Sequence, residues 1–248
     1  PHAINTTTPT LGWGTECLRV ADAITAAPHP DRIVFGVTDG AAVKSAASVL
    51  AEAYAAARAQ GTPVMSVDYA TAQLVKAAAN SFLATKISFI NAIANLCEAV
   101  DADVREVALG MGYDQRIGFE FLHPGPGYGG SCFPKDTQAL LYTARNAGYD
   151  FSLLEGVVQV NKEQQERMVT KMTDLVGGSL AGVTIACWGL TFKANTDDLR
   201  DSPAITFVRR LIEAGAAGRA FSPAAGARAG GLGPGRGQRA RRVHRDPS

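Results

Sequence analysis

The chain has 248 residues, 46% of them hydrophobic, and a formal net charge of +1. That supplies apolar material for a substantial core at a length between one large domain and two small ones, and the near balance of charge gives no general case for nucleic acid or a membrane surface. No run of apolar residues is long enough to span a bilayer, and residues 1–10 lack the basic start and apolar stretch of a secretory signal, so a soluble cytoplasmic protein without a membrane partner is expected.

In chain order, residues 31–37 (DRIVFGV) read as a short buried strand, and residues 41–60 as an alanine-rich helix closed by Gly61 at the C′ position. After Pro63, residues 68–109 carry a helical pattern through Leu74, Phe82, Ile87, Ile90, Ile93, Leu96 and Val100, which predicts a long scaffold helix with room for one break. A glycine-rich loop, 124–130, separates it from a helix starting near Pro134 and stopping at Gly148. Residues 183–188 (VTIACW) read as a buried strand ending at Gly189, and Ser202 and Pro203 suit the N-cap and first turn of a further helix.

From Gly218 the composition turns to Ala, Gly, Pro and Arg, and 218–248 reads as disordered. A second α/β unit that loses its pattern after one strand and one helix cannot cover its own sheet, so either a truncated chain or a shifted reading frame is expected. Arginine without lysine after Ala217 fits an out-of-frame tail. Clustered arginines at 236–245 could neutralise phosphates, but no aromatic residue lies among them for base stacking, so nucleic acid is not the expected partner.

Four cysteines, Cys17, Cys97, Cys132 and Cys187, are scattered, with no C-x-x-C pair and no histidine cluster at ligand spacing; neither disulfides nor a metal is expected. The apolar neighbours of Cys97 and Cys187 suit small buried hydrophobes. Cys132 differs, because it lies between the glycine loop and a helix start, where the positive helix end favours a thiolate. Lys135 adds a positive charge in the first turn, and Asp136 could position a water or a hydrogen-bond partner. These residues describe an activated nucleophile.

Lys76 and Asn80 are one helical turn apart, and by spacing alone a substrate-facing pair and a solvated face are equally open readings. Gly125, Gly127 and Gly130 formally satisfy G-x-G-x-x-G, but no convincing strand precedes them and no acidic residue closes a following strand, so they are not read as a dinucleotide fingerprint. Exposed amides in such a loop still suit an anion or the close approach of a sugar.

The run 127–136 (GYGGSCFPKD) resembles the active-site motif of the UDP-glucose/GDP-mannose dehydrogenase family. Residues 30–34 (PDRIV), 76–86 (KAAANSFLATK), 116–118 (RIG), 189–193 (GLTFK) and 200–202 (RDS) agree with it, and the likeness covers roughly 16–217. The phrasing of 124–136 is more similar to the UDP-glucose branch than to the GDP-mannose branch. The resemblance implies an α/β fold: the end of a Rossmann-like NAD domain (1–65), a long central helix within a helical dimerisation domain that holds the catalytic cysteine (66–165), the start of a second, UDP-binding Rossmann-like domain (166–217), and the tail (218–248).

It also implies NAD as cofactor, UDP-glucose as substrate, and a homodimer through the long central helix. The implied activity is oxidation of UDP-glucose to UDP-glucuronate through a cysteine-bound thiohemiacetal and thioester. Cys132 would be the nucleophile; Lys76 and Asp136 would manage water and developing oxyanions, with Asn80 assisting, and Glu16 matches the family's acid/base glutamate. Phe121, Leu122, His123, Pro124, Gly125, Gly129, Phe192 and Lys193 match substrate-contacting positions, Arg116 an arginine that reaches a neighbouring subunit's site, and Lys135 and Arg200 cofactor-side positions. The family's NAD fingerprint belongs ahead of residue 1, and Glu16 stands in a weakened motif, with Val20 and Ala21 where the family has glutamate and glycine. An inactive helical dimerisation fragment, or a dehydrogenase of GDP-mannose or a UDP-N-acetyl sugar, are the alternatives.

Overall fold

The computed structural model describes residues 32–36, 41–192 and 196–223. They fall into two compact units, one ending at Lys76 and one beginning at Ala77.

In the first unit, β1 (Ile33–Gly36) leads into α1 (Ala41–Ala53) and α2 (Ala55–Ala59), and the chain returns as β2 (Val64–Val67). β2 lies parallel to β1, with Ile33 opposite Val64 and Gly36 opposite Val67. A parallel pair needs a crossover, and the alanine-rich helices supply it. The predicted single helix is interrupted at Tyr54, and Gly61 ends it at φ +90°, a left-handed conformation that glycine adopts without the Cβ penalty. β2 was not expected; its four residues VMSV are too few, and too exposed at Met65 and Ser66, for periodicity to reveal them. A hollow of about 310 Å³ lined by Phe35, Ala47, Ser48, Ala51, Arg58, Val64 and Ser66 holds none of the predicted site residues.

The long helix α3 (Tyr69–Val100) has 32 residues and breaks once, as expected, before α4 (Val104–Gly112). At the break Asp101 takes φ +57° and Asp103 caps α4, its carboxylate accepting the Arg105 N–H at 2.8 Å. By length and composition alone α3 could cross a membrane, a test that a core helix also passes, though no single apolar run in it is long enough to do so. Lys76, Asn80, Lys86 and Asn91 interrupt every such run without lowering the mean far enough.

In the second unit, α3 meets α5 (Phe133–Asn146) and α6 (Ser152–Leu175) around a core of Ala84, Tyr128, Leu140, Leu141, Leu154 and Val157. Leu154 is 1% exposed, and its burial contributes about 1.5–3 kcal/mol. The glycine loop enters this core through Tyr128, so the loop before Cys132 is anchored rather than draped over the surface.

Further along, β3 (Thr184–Trp188), α7 (Pro203–Glu213) and β4 (Ala217–Phe221) form a second β-α-β unit, with β3 and β4 parallel and Trp188 opposite Phe221. Leu180, Leu211 and Ala216 make its core, with Val169 and Met172 of α6 packed against it. β4 overturns the reading of disorder from Gly218 for residues 218–221: backbone pairing to β3 orders a segment that has few apolar side chains. Residues 224–248 lie outside those described.

Candidate active site

Cys132 is the N-cap residue of α5, and its side chain is exposed. Pro134, free of an N–H, fits the first turn, where that donor would have no helical partner. The sulfur makes no capping bond and lies 3.8 Å from Ser131 Oγ. It therefore stands accessible at the helix end, where the uncompensated peptide N–H groups place partial positive charge.

One turn on, Asp136 is only 6% exposed, and its backbone N–H donates to Cys132 O at 2.8 Å. Asn80 Nδ2 donates to Asp136 Oδ2 at 2.6 Å, and Lys135 Nζ stands 3.6 Å from Oδ1. A buried carboxylate is costly unless bonded and paired, and here it has an amide donor from α3 and an ammonium from α5. Lys76 lies one turn before Asn80 on α3 and is exposed.

The loop is held by side chains that periodicity did not single out. Asn91 Oδ1 accepts Gly125 N–H at 2.8 Å, and Gln164 Nε2 donates to Gly125 O at 2.9 Å. Asn161 Oδ1 accepts Tyr128 N–H at 2.7 Å while its Nδ2 donates to Tyr128 O at 3.1 Å. Asn91, Asn161 and Gln164 are all buried. The signal that could have found them is an amide at an apolar position of an amphipathic helix, a residue that folding tolerates only when its hydrogen bonds are met.

The segment after β3 packs onto the same loop. Gly130 N–H donates to Asp201 O at 2.9 Å, and a Cβ on Gly129 would stand 2.2 Å from that oxygen. A Cβ on Gly130, whose φ is +82°, would meet the Phe192 ring at 2.2 Å. These two glycines are required by close approach, not only by loop flexibility. Arg200 Nε and Nη2 reach the Asp198 carboxylate at 2.9 and 2.8 Å. The guanidinium is held more basic than usual, first by that bond and the Asp198 charge, with smaller contributions from Cys132 and Asp201.

Of the expected site residues, Cys132, Asp136, Asn80, Lys135, Gly129, Phe192 and Arg200 thus gather on one loop and its surroundings. Phe121 takes φ +64° and its ring lies 6.2 Å from that of Phe133. Leu122 turns its side chain into the core at 3% exposure, leaving its backbone for any ligand contact, whereas His123 is exposed and Pro124 half-buried. Arg116 is exposed and forks onto Asp114 of its own chain, with Nη2 to Oδ2 at 2.6 Å. Glu16 and Lys193 lie outside the described residues. Among the described residues no cluster of histidine, cysteine or carboxylates is spaced to hold a metal.

The chain thus combines an accessible thiol at a helix start, a buried carboxylate one turn on and two parallel β-α-β units, an α/β architecture. The chain belongs to the UDP-glucose/GDP-mannose dehydrogenase family: the family's central domain matches residues 70–163 and its UDP binding domain residues 186–233. The second match carries the family pattern past Gly218, into the stretch read as disordered or out of frame.

The chain is 48% identical over 210 residues to the UDP-glucose 6-dehydrogenase YwqF of Bacillus subtilis, covering 85% of this chain and 46% of that protein. It is 49% identical over 208 residues to the UDP-glucose 6-dehydrogenase of Rhizobium meliloti, covering 84% and 47%. A solved UDP-glucose dehydrogenase from the archaeon Pyrobaculum islandicum superposes with a TM-score of 0.74 at 37% identity, over 81% of this chain and 44% of that one. The chain thus spans about half the length of the curated relatives it matches.

Proposed function

We propose that this chain carries the catalytic-cysteine portion of an NAD-dependent UDP-glucose 6-dehydrogenase, and that Cys132 is its nucleophile. The observation that carries the reading is the exposed Cys132 sulfur at the start of α5, above the buried Asp136 that Asn80 holds at 2.6 Å. Relatives named UDP-glucose 6-dehydrogenase at 48% and 49% identity favour UDP-glucose over GDP-mannose or a UDP-N-acetyl sugar.

In this mechanism the primary alcohol of the sugar loses a hydride and a proton to become an aldehyde. The Cys132 thiolate adds to the aldehyde carbon and the oxygen takes up a proton, giving a thiohemiacetal; loss of a second hydride and of that proton leaves a thioester, and water hydrolyses it to the carboxylate and returns the thiolate. Asp136 and Lys76 position the water and offset charge on the carbonyl oxygen, Asn80 orients Asp136, and Glu16 serves as acid/base. Phe121, Leu122, His123, Pro124, Gly125, Gly129, Phe192 and Lys193 line the substrate, and Arg116 reaches the site of a second copy.

NAD, when bound, accepts the hydrides. The residues present fit its anionic character in part: Lys135 and Arg200 are exposed cations flanking Cys132, while the glycine fingerprint for the pyrophosphate is not in this sequence. The corresponding domain division is an NAD-domain portion (1–65), a central domain (66–165) and a UDP-binding portion from 166, in a cytoplasmic homodimer. Phe82, Phe89 and Leu96, seven residues apart on α3 and 65%, 51% and 56% exposed, form a stripe suited to pairing with a second α3. The same stripe supports a second reading, a dimerisation fragment without turnover.

Formation of reduced nicotinamide from UDP-glucose and NAD, lost in Cys132→Ala, supports the first reading. A folded dimer that forms none supports the second.

A further inference from the structure

Two helices bring amide side chains to one short segment of the glycine loop. Asn91 and Asn95 stand one turn apart on α3, and Asn161 and Gln164 one turn apart on α6. Pro124 and Pro126 have no N–H, so Gly125 carries the one backbone donor of residues 124–126. Asn91 Oδ1 accepts that N–H at 2.8 Å, and Gln164 Nε2 donates to the Gly125 carbonyl at 2.9 Å. Behind Gln164, Asn95 Nδ2 donates to its Oε1 at 3.0 Å. Gly125 is thus gripped on both polar sides, while no atom beyond its chain neighbours lies within 4 Å of the place a Cβ would take.

The backbone dictates which way round each amide lies, since an N–H meets only an acceptor and a carbonyl only a donor. Asn91 keeps Oδ1 on Gly125 even though its Nδ2, in a side chain 0% exposed, has no partner among the described residues. Gln164 is buried and presents Nε2 to the loop, so its Oε1 needs a donor, which Asn95 supplies.

We propose that Asn95 is a positioning residue for the substrate loop: through Gln164 it fixes the Gly125 peptide against which the nucleotide sugar lies. This rests on the reading of Gly125 as a substrate contact. The hydrogen bond of Asn95 goes to Gln164 and not to the loop, so its influence lies in the direction it gives the Gln164 amide. Substitution of one atom reverses that direction. In Asn95→Asp the donor becomes an acceptor; Gln164 turns Nε2 toward it and sets Oε1 against the Gly125 carbonyl, oxygen to oxygen. In Asn95→Ala nothing forces the turn, and water can take the donor's place at this half-buried position.

The test is UDP-glucose binding to the purified chain by titration calorimetry, with urea unfolding of each variant alongside. Asn95→Asp is expected to weaken binding roughly five- to twentyfold and Asn95→Ala under about threefold. Gln164→Met, which removes the donor to the loop, weakens binding about as much as Asn95→Asp, and adding Asn95→Asp to it changes the affinity by under about twofold. A direct effect of the new carboxylate on the ligand would persist in that double variant. Should Asn95→Asp fail to fold, Gln164→Glu makes the same reversal from the other residue: it still accepts from Asn95 but meets the Gly125 carbonyl with an oxygen. The proposal is overturned by an affinity in the reversed variants that matches Asn95→Ala, by a loss that persists in the Gln164→Met background, or by a fall in urea midpoint with the affinity of the folded chain unchanged. Each of these leaves the reading of Gly125 as a substrate contact standing, whereas a folded unaltered chain that binds no UDP-glucose overturns that reading and the proposal together.

Discussion

Replacing Asn161 by leucine removes the side chain that satisfies both backbone groups of Tyr128, at 2.7 Å to its N–H and 3.1 Å to its carbonyl. Tyr128 is 5% exposed and Asn161 8%, so water does not readily replace the amide. Each buried group left unbonded costs about 1–3 kcal/mol, and the apolar gain of leucine returns part of that, giving a net loss of about 2–4 kcal/mol. Asn161→Ala is expected to cost less, because the vacated space admits a water that restores one bond. Urea unfolding followed by circular dichroism measures both, and the midpoint should fall while the slope stays constant. The loop leads directly to Cys132, so its alkylation rate should change as well. A loss under about 0.5 kcal/mol in Asn161→Leu would refute the claim that this amide anchors the loop.

Three further outcomes follow from the structure. Gly130→Ala, with φ +82° and a Cβ 2.2 Å from the Phe192 ring, should destabilise by about 2–4 kcal/mol, whereas Gly125→Ala, with open space around the Cβ site, should cost under about 1 kcal/mol; thermal unfolding compares them. Glu98 is held below the usual carboxylate range by hydrogen bonds from Lys171 first and Arg167 second. Its contribution to stability is thus present above the unfolded value, near pH 4.5, and is lost as pH falls through the lower folded value, so Glu98→Gln should flatten the acid limb of stability against pH. Phe89→Glu on the exposed stripe of α3 should shift sedimentation toward monomer without unfolding the chain, whereas an unchanged sedimentation coefficient would count against pairing through α3.

What could be read in advance was what leaves a pattern along the chain. Cys132 between glycines and a proline-started helix is such a pattern, and so are the long apolar period of α3, its single break and the Ser202–Pro203 start of α7. Even there the pattern gave the position and not the bond: Ser202 is the N-cap residue, but its buried hydroxyl makes no capping contact.

α6 was not anticipated, because its inward positions Leu154 and Val157 are followed at the next turns by Asn161 and Gln164. Those amides break the apolar period at the turns that hold the loop, so the residues most useful to the site hid the helix that carries them. β2 and β4 were missed for a different reason: each is a short strand ordered by backbone pairing to a neighbour, a long-range contact that no local spacing records. The contact of Asp201 with Gly130 is of the same kind.

The most direct test of the central claim is formation of reduced nicotinamide by the purified chain with UDP-glucose and NAD, beside Cys132→Ala. The account predicts formation in the unaltered chain and none in the variant. Formation that survives the loss of Cys132, or none from a chain shown to be folded, would contradict it.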